Sequence, residues 1–314
     1  MKGLLMFVAL FAAVAAHAQK VEKETFIYAV KGADTLRLDR YVAPSVESRM
    51  RPCLLFVFGG GFVSGTRDGE PYLPFFEYYA KKGYVVVSID YRLGMREPME
   101  RGTLDERSFA PVFLGALEMA VEDLYDATAS VCAHTADWGV DPRMIVVCGS
   151  SAGAITVLMG EYGISNGSAL ARRLPEGFDY AGVISFAGAI FDPDSELEWP
   201  RTPAPTMLFH GDADPNVPYG AVRYEGAGFF GSEYIARQFT QKRFPHWFYS
   251  AAGADHAISV RPMYENRYEI DSFLEKLVWQ RQPLVIDTTV APADESGGPR
   301  AFTMRDYIEA NFAR

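Results

Sequence analysis

Five short, nearly unbroken apolar runs, separated by longer stretches of helical period, constrain this 314-residue chain more than any other feature. The runs are Cys53–Phe58, Tyr84–Ile89, Met144–Cys148, Gly182–Phe186 and Thr206–Phe209. A strand with one face in water alternates apolar and polar side chains, so a run without alternation predicts a strand covered on both faces. Tyr72–Lys82, Val112–Ala136, Ala152–Tyr162 and Tyr234–Arg243 carry apolar residues at helical spacing between or after these runs. Alternation of buried strand and helix predicts an α/β fold, a mostly parallel central sheet of about eight strands with helices on both faces. Thr25–Val30 and Thr35–Asp39, joined through Gly32-Ala33-Asp34, predict a hairpin at one edge. Phe248–Ser250 predicts a last short strand, and Pro262–Gln280, with Ile270, Phe273, Leu274, Leu277 and Val278 on one face, a closing helix.

The two ends read differently from this core. Lys2, the apolar run Leu4–Ala16 and the small-x-small site Ala16-His17-Ala18 predict a secretory signal peptide over residues 1–18. The run is shorter than the roughly 20 residues that cross a bilayer, so an exported protein, periplasmic or secreted, with no membrane contact in its mature form is expected. Residues 19–281 then form the main domain. From Gln282 the composition turns to Pro, Asp, Gly and Thr, and 282–314 reads as a C-terminal extension with a short amphipathic helix over Phe302–Phe312. The formal charge is −10, one unit more negative once Lys2 is removed, which argues against nucleic acid as a partner. The three cysteines cannot build a disulfide framework. Cys53 and Cys148, on adjacent parallel strands, would lie about 15 Å apart, too far to bridge.

Gly149-Ser150-Ser151-Ala152-Gly153 follows one buried strand and opens a helix, which puts Ser151 at the apex of a sharp turn. Small neighbours are needed there because strand and helix approach closely. A serine nucleophile needs a base, and four histidines follow the signal peptide: His134, His210, His246 and His256. His134 lies in the long helix before the strand, and His246 precedes or begins a strand, at the sheet edge away from Ser151. His256 sits in Ala252-Gly253-Ala254-Asp255-His256-Ala257, after the last strand, at the carboxyl edge where open α/β sheets carry their ligands. The histidine needs a carboxylate on its far nitrogen. Asp214, within His210-Gly211-Asp212-Ala213-Asp214-Pro215-Asn216-Val217-Pro218, is the favoured candidate, with Asp212, Asp192 and Asp194 as alternatives. Phe58-Gly59-Gly60-Gly61-Phe62 ends a strand at the same edge, and the N–H groups of Gly60, Gly61 and Ala152 would form an oxyanion hole contributing about 3 kcal/mol per donor.

These residues together resemble the α/β-hydrolase superfamily, and within it the carboxylesterases and hormone-sensitive-lipase-like esterases. The likeness rests on Phe58-Gly59-Gly60-Gly61-Phe62, Asp90-Tyr91-Arg92-Leu93, Gly149-Ser150-Ser151-Ala152-Gly153 and His210-Gly211-x-x-Asp214-x-x-Val217-Pro218, with Asp141-Pro142-Arg143 before the elbow strand. Phe58 departs from the histidine usual there, which braces the glycine loop by hydrogen bonding. An aromatic ring would have to brace it by packing, and Tyr91 and Arg92 read as loop anchors. The resemblance implies a serine carboxylesterase with Ser151, His256 and Asp214 as its triad and no metal or organic cofactor. Its substrate would be a small-molecule or carbohydrate ester, for instance an acetylated or feruloylated polysaccharide. A prolyl-oligopeptidase-type peptidase and a non-catalytic binding module are the alternatives on the same fold. Phe109, Phe191, Trp199, Tyr219, Phe229 and Phe230 lie in or beside long loops and are candidates for pocket walls or for packing. Oligomeric state is not legible.

Overall fold

A computed structural model describes residues 20–44, 50–102, 104, 106–193, 196–224, 226–291 and 301–312. The expected signal peptide and Asp194 lie outside them. In chain order the strands are β1 (Glu22–Lys31), β2 (Asp34–Val42), β3 (Arg51–Val57), β4 (Val85–Ile89), β5 (Val140–Ser150), β6 (Gly182–Phe186), β7 (Ala189–Asp192), β8 (Thr206–Gly211), β9 (Ala221–Tyr224), β10 (Ala227–Gly231), β11 (His246–Ala251) and β12 (Val285–Val290). The helices are α1 (Leu73–Lys81), α2 (Arg96–Arg101), α3 (Glu106–Ala133), α4 (Thr135–Trp138), α5 (Ala152–Ser165), α6 (Ser232–Lys242), α7 (Pro262–Glu265), α8 (Arg267–Phe273) and α9 (Met304–Phe312). Beyond α8 the closing helix continues as a π turn over Leu274–Trp279.

The main sheet has nine strands in the order β1-β2-β4-β3-β5-β6-β8-β11-β12. β1 and β2 form the expected antiparallel hairpin, β2 is antiparallel to β4, and every later pairing is parallel. All residues of β4, β6 and β8 are buried, which in a strand of period two requires cover on both faces. The chain winds outward from β3 to β4 and then returns to place β5 on the other side of β3. This reversal opens a crevice at the carboxyl ends of β3 and β5, where ligands bind in such sheets.

Two segments depart from the sequence reading. The sheet has nine strands rather than about eight because Val285–Val290, inside the stretch that reads as an extension, pairs in parallel with β11. Its Asp and Thr residues are tolerated because an edge strand leaves half of its surface in water, which hides it among polar neighbours. The stretch after Tyr219, a loop by sequence, supplies β9 and β10, which join β7 in a second sheet, β7-β10-β9, antiparallel throughout. The β3/β5 register pairs Phe56 with Cys148, so Cys53 lies three residues away along the strand, about 10 Å rather than 15 Å. Cys53, Cys132 and Cys148 are free.

Helix α5 carries an unusual buried carboxylate. Glu161 Oε1 accepts from Ala204 N at 2.8 Å, while Oε2 is buried without a partner. Burial raises its pKa to about 8, aided by nearby Asp179 and opposed by Ala204 N–H and Arg201. The neutral acid is therefore the folded form, and its contribution is complete below the unfolded value near 4.5 and lost as pH rises from there through about 8. Denaturant unfolding between pH 5 and 9 should show stability falling over that window in the parent. Glu161→Gln should flatten the profile and exceed the parent by a few kcal/mol at pH 9, since each tenfold change in proton affinity is worth about 1.4 kcal/mol. An unchanged slope would contradict the assignment.

Candidate active site

Strands β3, β5, β6, β8 and β11 end side by side. Val57 pairs with Gly149, Ser150 with Phe186, and Gly211 with Ala251. The segments leaving these ends carry the residues singled out from sequence. Ser151 turns between β5 and α5 with φ 51° and ψ −117°, a left-handed conformation that costs a serine about 1–3 kcal/mol. The turn is held by Ser151 N donating to Phe186 O at 2.9 Å. The small neighbours are required: a Cβ on Gly149 would stand 2.3 Å from Gly153 O, and one on Gly153 would stand 2.1 Å from Val57 O.

The structure brings Ser151, His256 and Asp214 into one line. Ser151 Oγ lies 2.8 Å from His256 Nε2, and His256 Nδ1 lies 2.7 Å from Asp214 Oδ2. Asp214 Oδ1 accepts from Asn216 N at 2.7 Å and Val217 N at 3.0 Å. Its carboxylate is buried, and burial alone would raise its pKa. Hydrogen bonds from His210 and His256 outweigh that and hold it well below the usual carboxylate range. An ionised acid beside Nδ1 keeps the proton on that nitrogen and leaves Nε2 free to accept from Ser151.

The other candidates go elsewhere. Asp212 Oδ1 accepts from Gly253 N at 2.6 Å, so it ties the acid loop to the loop before His256. Asp192 ends β7. His210 is buried with Nδ1 2.7 Å from Ser232 Oγ and Nε2 3.5 Å from Asp214 Oδ2, the same oxygen that bonds His256. His134 stacks on Trp138, and His246 bonds Phe244 O at the start of β11. Gly60 and Gly61 adopt φ 126° and 62° just past β3, and a Cβ on Gly60 would meet Ser64 O at 2.2 Å. Among the described residues, the N–H groups of Gly60, Gly61 and Ala152 have no protein acceptor, which leaves them for a ligand.

Phe58 braces the glycine loop by packing. Its ring lies 4.5 Å from that of Tyr91, and Tyr91 Oη donates to Phe58 O at 3.0 Å. Arg92 pairs with Asp123 and Glu122, anchoring the next turn. Phe109, Phe191, Trp199, Phe229 and Phe230 are buried and pack against other rings, whereas Tyr219 is half-buried with its hydroxyl on Ser250 Oγ. Among the described residues, no group of His, Cys, Asp and Glu is gathered as metal ligands. A cavity of about 1130 Å³ opens at the opposite edge of the sheet, lined by Met144, Tyr180, Pro205 and Trp279, and contains none of these residues.

A polar thread that the sequence does not reveal joins the three segments. Gly59 N donates to Tyr72 Oη at 3.2 Å, Tyr72 Oη donates to Ser150 Oγ at 3.5 Å, and Ser150 Oγ donates to Ser259 O at 2.8 Å, one turn beyond His256. By sequence Tyr72 is only the first residue of a helix, and nothing in its spacing marks it. Tyr72→Phe leaves Gly59 N–H without its acceptor, at about 1–3 kcal/mol if it stays dry. Steady-state kinetics should show kcat about tenfold lower with KM within about twofold; an unchanged kcat would remove Tyr72 from loop positioning.

Known proteins are similar to parts of this chain in sequence and to most of it in architecture. The sequence profile of the Carboxylesterase family matches residues 11–160. Gut esterase 1 of Caenorhabditis briggsae is 33% identical over 126 residues, 40% of this chain and 21% of that protein. Esterase B1 of Culex pipiens is 31% identical over 124 residues, covering 40% and 21%, and chlorogenic acid esterase of Aspergillus niger is 33% identical over 135 residues, covering 38% and 23%. The chain thus spans about a fifth of the length of these curated relatives. Propionate-bound esterase 2 of Thermogutta terrifontis superposes with a TM-score of 0.60 at 22% identity, covering 81% of this chain and 94% of that one. The chain is thus similar to the Carboxylesterase family over residues 11–160 and shares the fold of the Thermogutta terrifontis esterase.

Proposed function

We propose that this chain is an exported serine esterase that cleaves carboxylic esters through an acyl-enzyme. One observation carries the reading: the unbroken hydrogen-bond line from Ser151 through His256 to Asp214, at 2.8 and 2.7 Å. Ser151 Oγ attacks the acyl carbonyl carbon as its proton passes to His256 Nε2. Asp214 stabilises the imidazolium, and the carbonyl oxygen, now negative, takes hydrogen bonds from Gly60, Gly61 and Ala152 N–H. His256 returns the proton to the leaving alcohol, breaking the ester bond. Water, deprotonated by His256, then attacks the Ser151 ester and releases the acid, restoring the serine.

Short acyl groups are favoured by likeness to the Thermogutta terrifontis enzyme, whose structures hold propionate and butyrate. Export rests on the Lys2, Leu4–Ala16 and Ala16-His17-Ala18 pattern. Export in turn favours extracellular acylated carbohydrate as the physiological ester, and the likeness to a chlorogenic acid esterase adds aromatic acyl groups to the candidates. Acetyl, butyryl, long-chain and feruloyl esters, acetylated xylan and peptide amides should be assayed side by side. Hydrolysis of short or feruloyl esters with amides untouched is expected. Amide cleavage without esterase activity would overturn the reading, and xylan left acetylated by an enzyme active on small esters would remove the carbohydrate assignment alone.

A further inference from the structure

We propose that Asn311, on the C-terminal helix α9, is a positioning residue for the loop that carries Asp214, a proposal that rests on the esterase reading above. One of the two peptide groups that donate to Asp214 Oδ1 is gripped at both ends. Val217 N–H of that group donates to Asp214 Oδ1 at 3.0 Å, and its carbonyl, Asn216 O, accepts from Asn311 Nδ2 at 2.8 Å. Asn216 Nδ2 donates back to Asn311 Oδ1 at 3.3 Å, so the Asn311 amide pairs with both the backbone carbonyl and the side chain of Asn216 across 95 residues of chain. Asn311 Nδ2 also donates to Tyr307 O at 2.9 Å, which fixes the amide on its own helix. With both ends of the peptide held, its plane, and with it the direction of the N–H bond to Asp214, is set from outside the triad.

The helix has a firm seat for this task. Tyr307 is 2% exposed, with its ring 5.5 Å from Phe113, 4.9 Å from Phe229 and 5.8 Å from Phe109. Phe312 packs on Phe109 at 5.5 Å. The Phe113 ring in turn meets Phe62 edge-on at 5.7 Å, and Phe62 directly follows the glycine loop. The helix therefore bears on the acid loop through a hydrogen-bonded pair and on the glycine loop through one intervening ring. Small displacements of a catalytic group are costly to the chemical step, reaching about a hundredfold for about 1 Å. Loss of Asn311, which leaves the backbone bonds to Asp214 in place, falls below that limit.

The test uses the full chain and 4-nitrophenyl butyrate. Asn311→Ala should lower kcat about tenfold with KM within about twofold, and slow inactivation by a fluorophosphonate by a similar factor. Ile308→Ala, which loosens the same helix without touching Asn216, should lower the melting temperature at least as much and keep kcat within about twofold. In an Asp214→Asn background, Asn311→Ala should cost nothing further, because its effect passes through Asp214. Parental kcat in Asn311→Ala, an equal loss in Ile308→Ala, or a further tenfold loss on top of Asp214→Asn would each overturn the proposal. Failure of the esterase reading is separate, since it shows in the parent alone as neither hydrolysis nor labelling.

Discussion

Ser151→Ala is expected to lower kcat toward a short-chain 4-nitrophenyl ester by about a million-fold while the chain keeps its fold. The substitution removes one oxygen, Ser151 Oγ, and alanine bears the φ of 51° no worse than serine does. The magnitude follows from what Ser151 and His256 do together: without either, no proton-coupled attack occurs, and only binding and the oxyanion donors remain. His256→Ala should therefore cost about the same, and the double variant little more than either single one. Circular dichroism and melting curves would establish that the folds match. Losses that multiply in the double variant would mean that the 2.8 Å contact between Ser151 and His256 does not couple them in catalysis.

Asp214→Asn should lower kcat by about ten thousand-fold, for a reason visible in the acid's other contacts. Oδ1 accepts from the N–H groups of Asn216 and Val217, so an asparagine here must turn its carbonyl toward those donors. Its NH2 then faces His256 Nδ1, which has to accept, and the proton moves to Nε2. That tautomer cannot take the Ser151 proton. The variant also changes stability with pH in a defined direction. The Asp214 pKa is depressed in the folded chain, so the carboxylate contributes stability above the unfolded value of about 3.9, and this is lost as pH falls toward the folded value. Parental unfolding should steepen below about pH 4, and that part of the slope should vanish in Asp214→Asn. Asp212→Asn keeps an acceptor for Gly253 N and should stay within about tenfold of parental kcat. Equal kinetic losses in the two variants would leave Asp214 without its special role.

The parallel strands and the elbow are legible in the sequence because their physics is local. Continuous apolar runs mark doubly covered strands, and Gly149 and Gly153 mark a turn with no room for Cβ. The line of Ser151, His256 and Asp214 is legible because histidines are few and the sheet's carboxyl edge eliminates most of them. Strand β12 is not, since an edge strand exposed to water needs no apolar run. The β7-β10-β9 sheet is hidden because its four- and five-residue strands look like loops between Gly and Pro. The contacts made by Tyr72, Ser150 and Asn311 are not legible either. The Tyr72–Ser150, Ser150–Ser259 and Asn216–Asn311 contacts join residues 78 or more positions apart through one or two polar bonds, which leave no periodicity in the chain.

The most direct test of the central claim is to trap the acylated residue. A fluorophosphonate added to the parent in slight excess, followed by intact-mass measurement and peptide mapping, should give a single adduct per chain, on Ser151, with esterase activity lost in step. Ser151→Ala should give none. The adjacent Ser150, whose hydroxyl is tied to Ser259 O, is the internal control and should stay unmodified. An adduct on Ser150 or on any other residue, or full hydrolysis by a chain whose Ser151 is unlabelled or absent, would contradict the account.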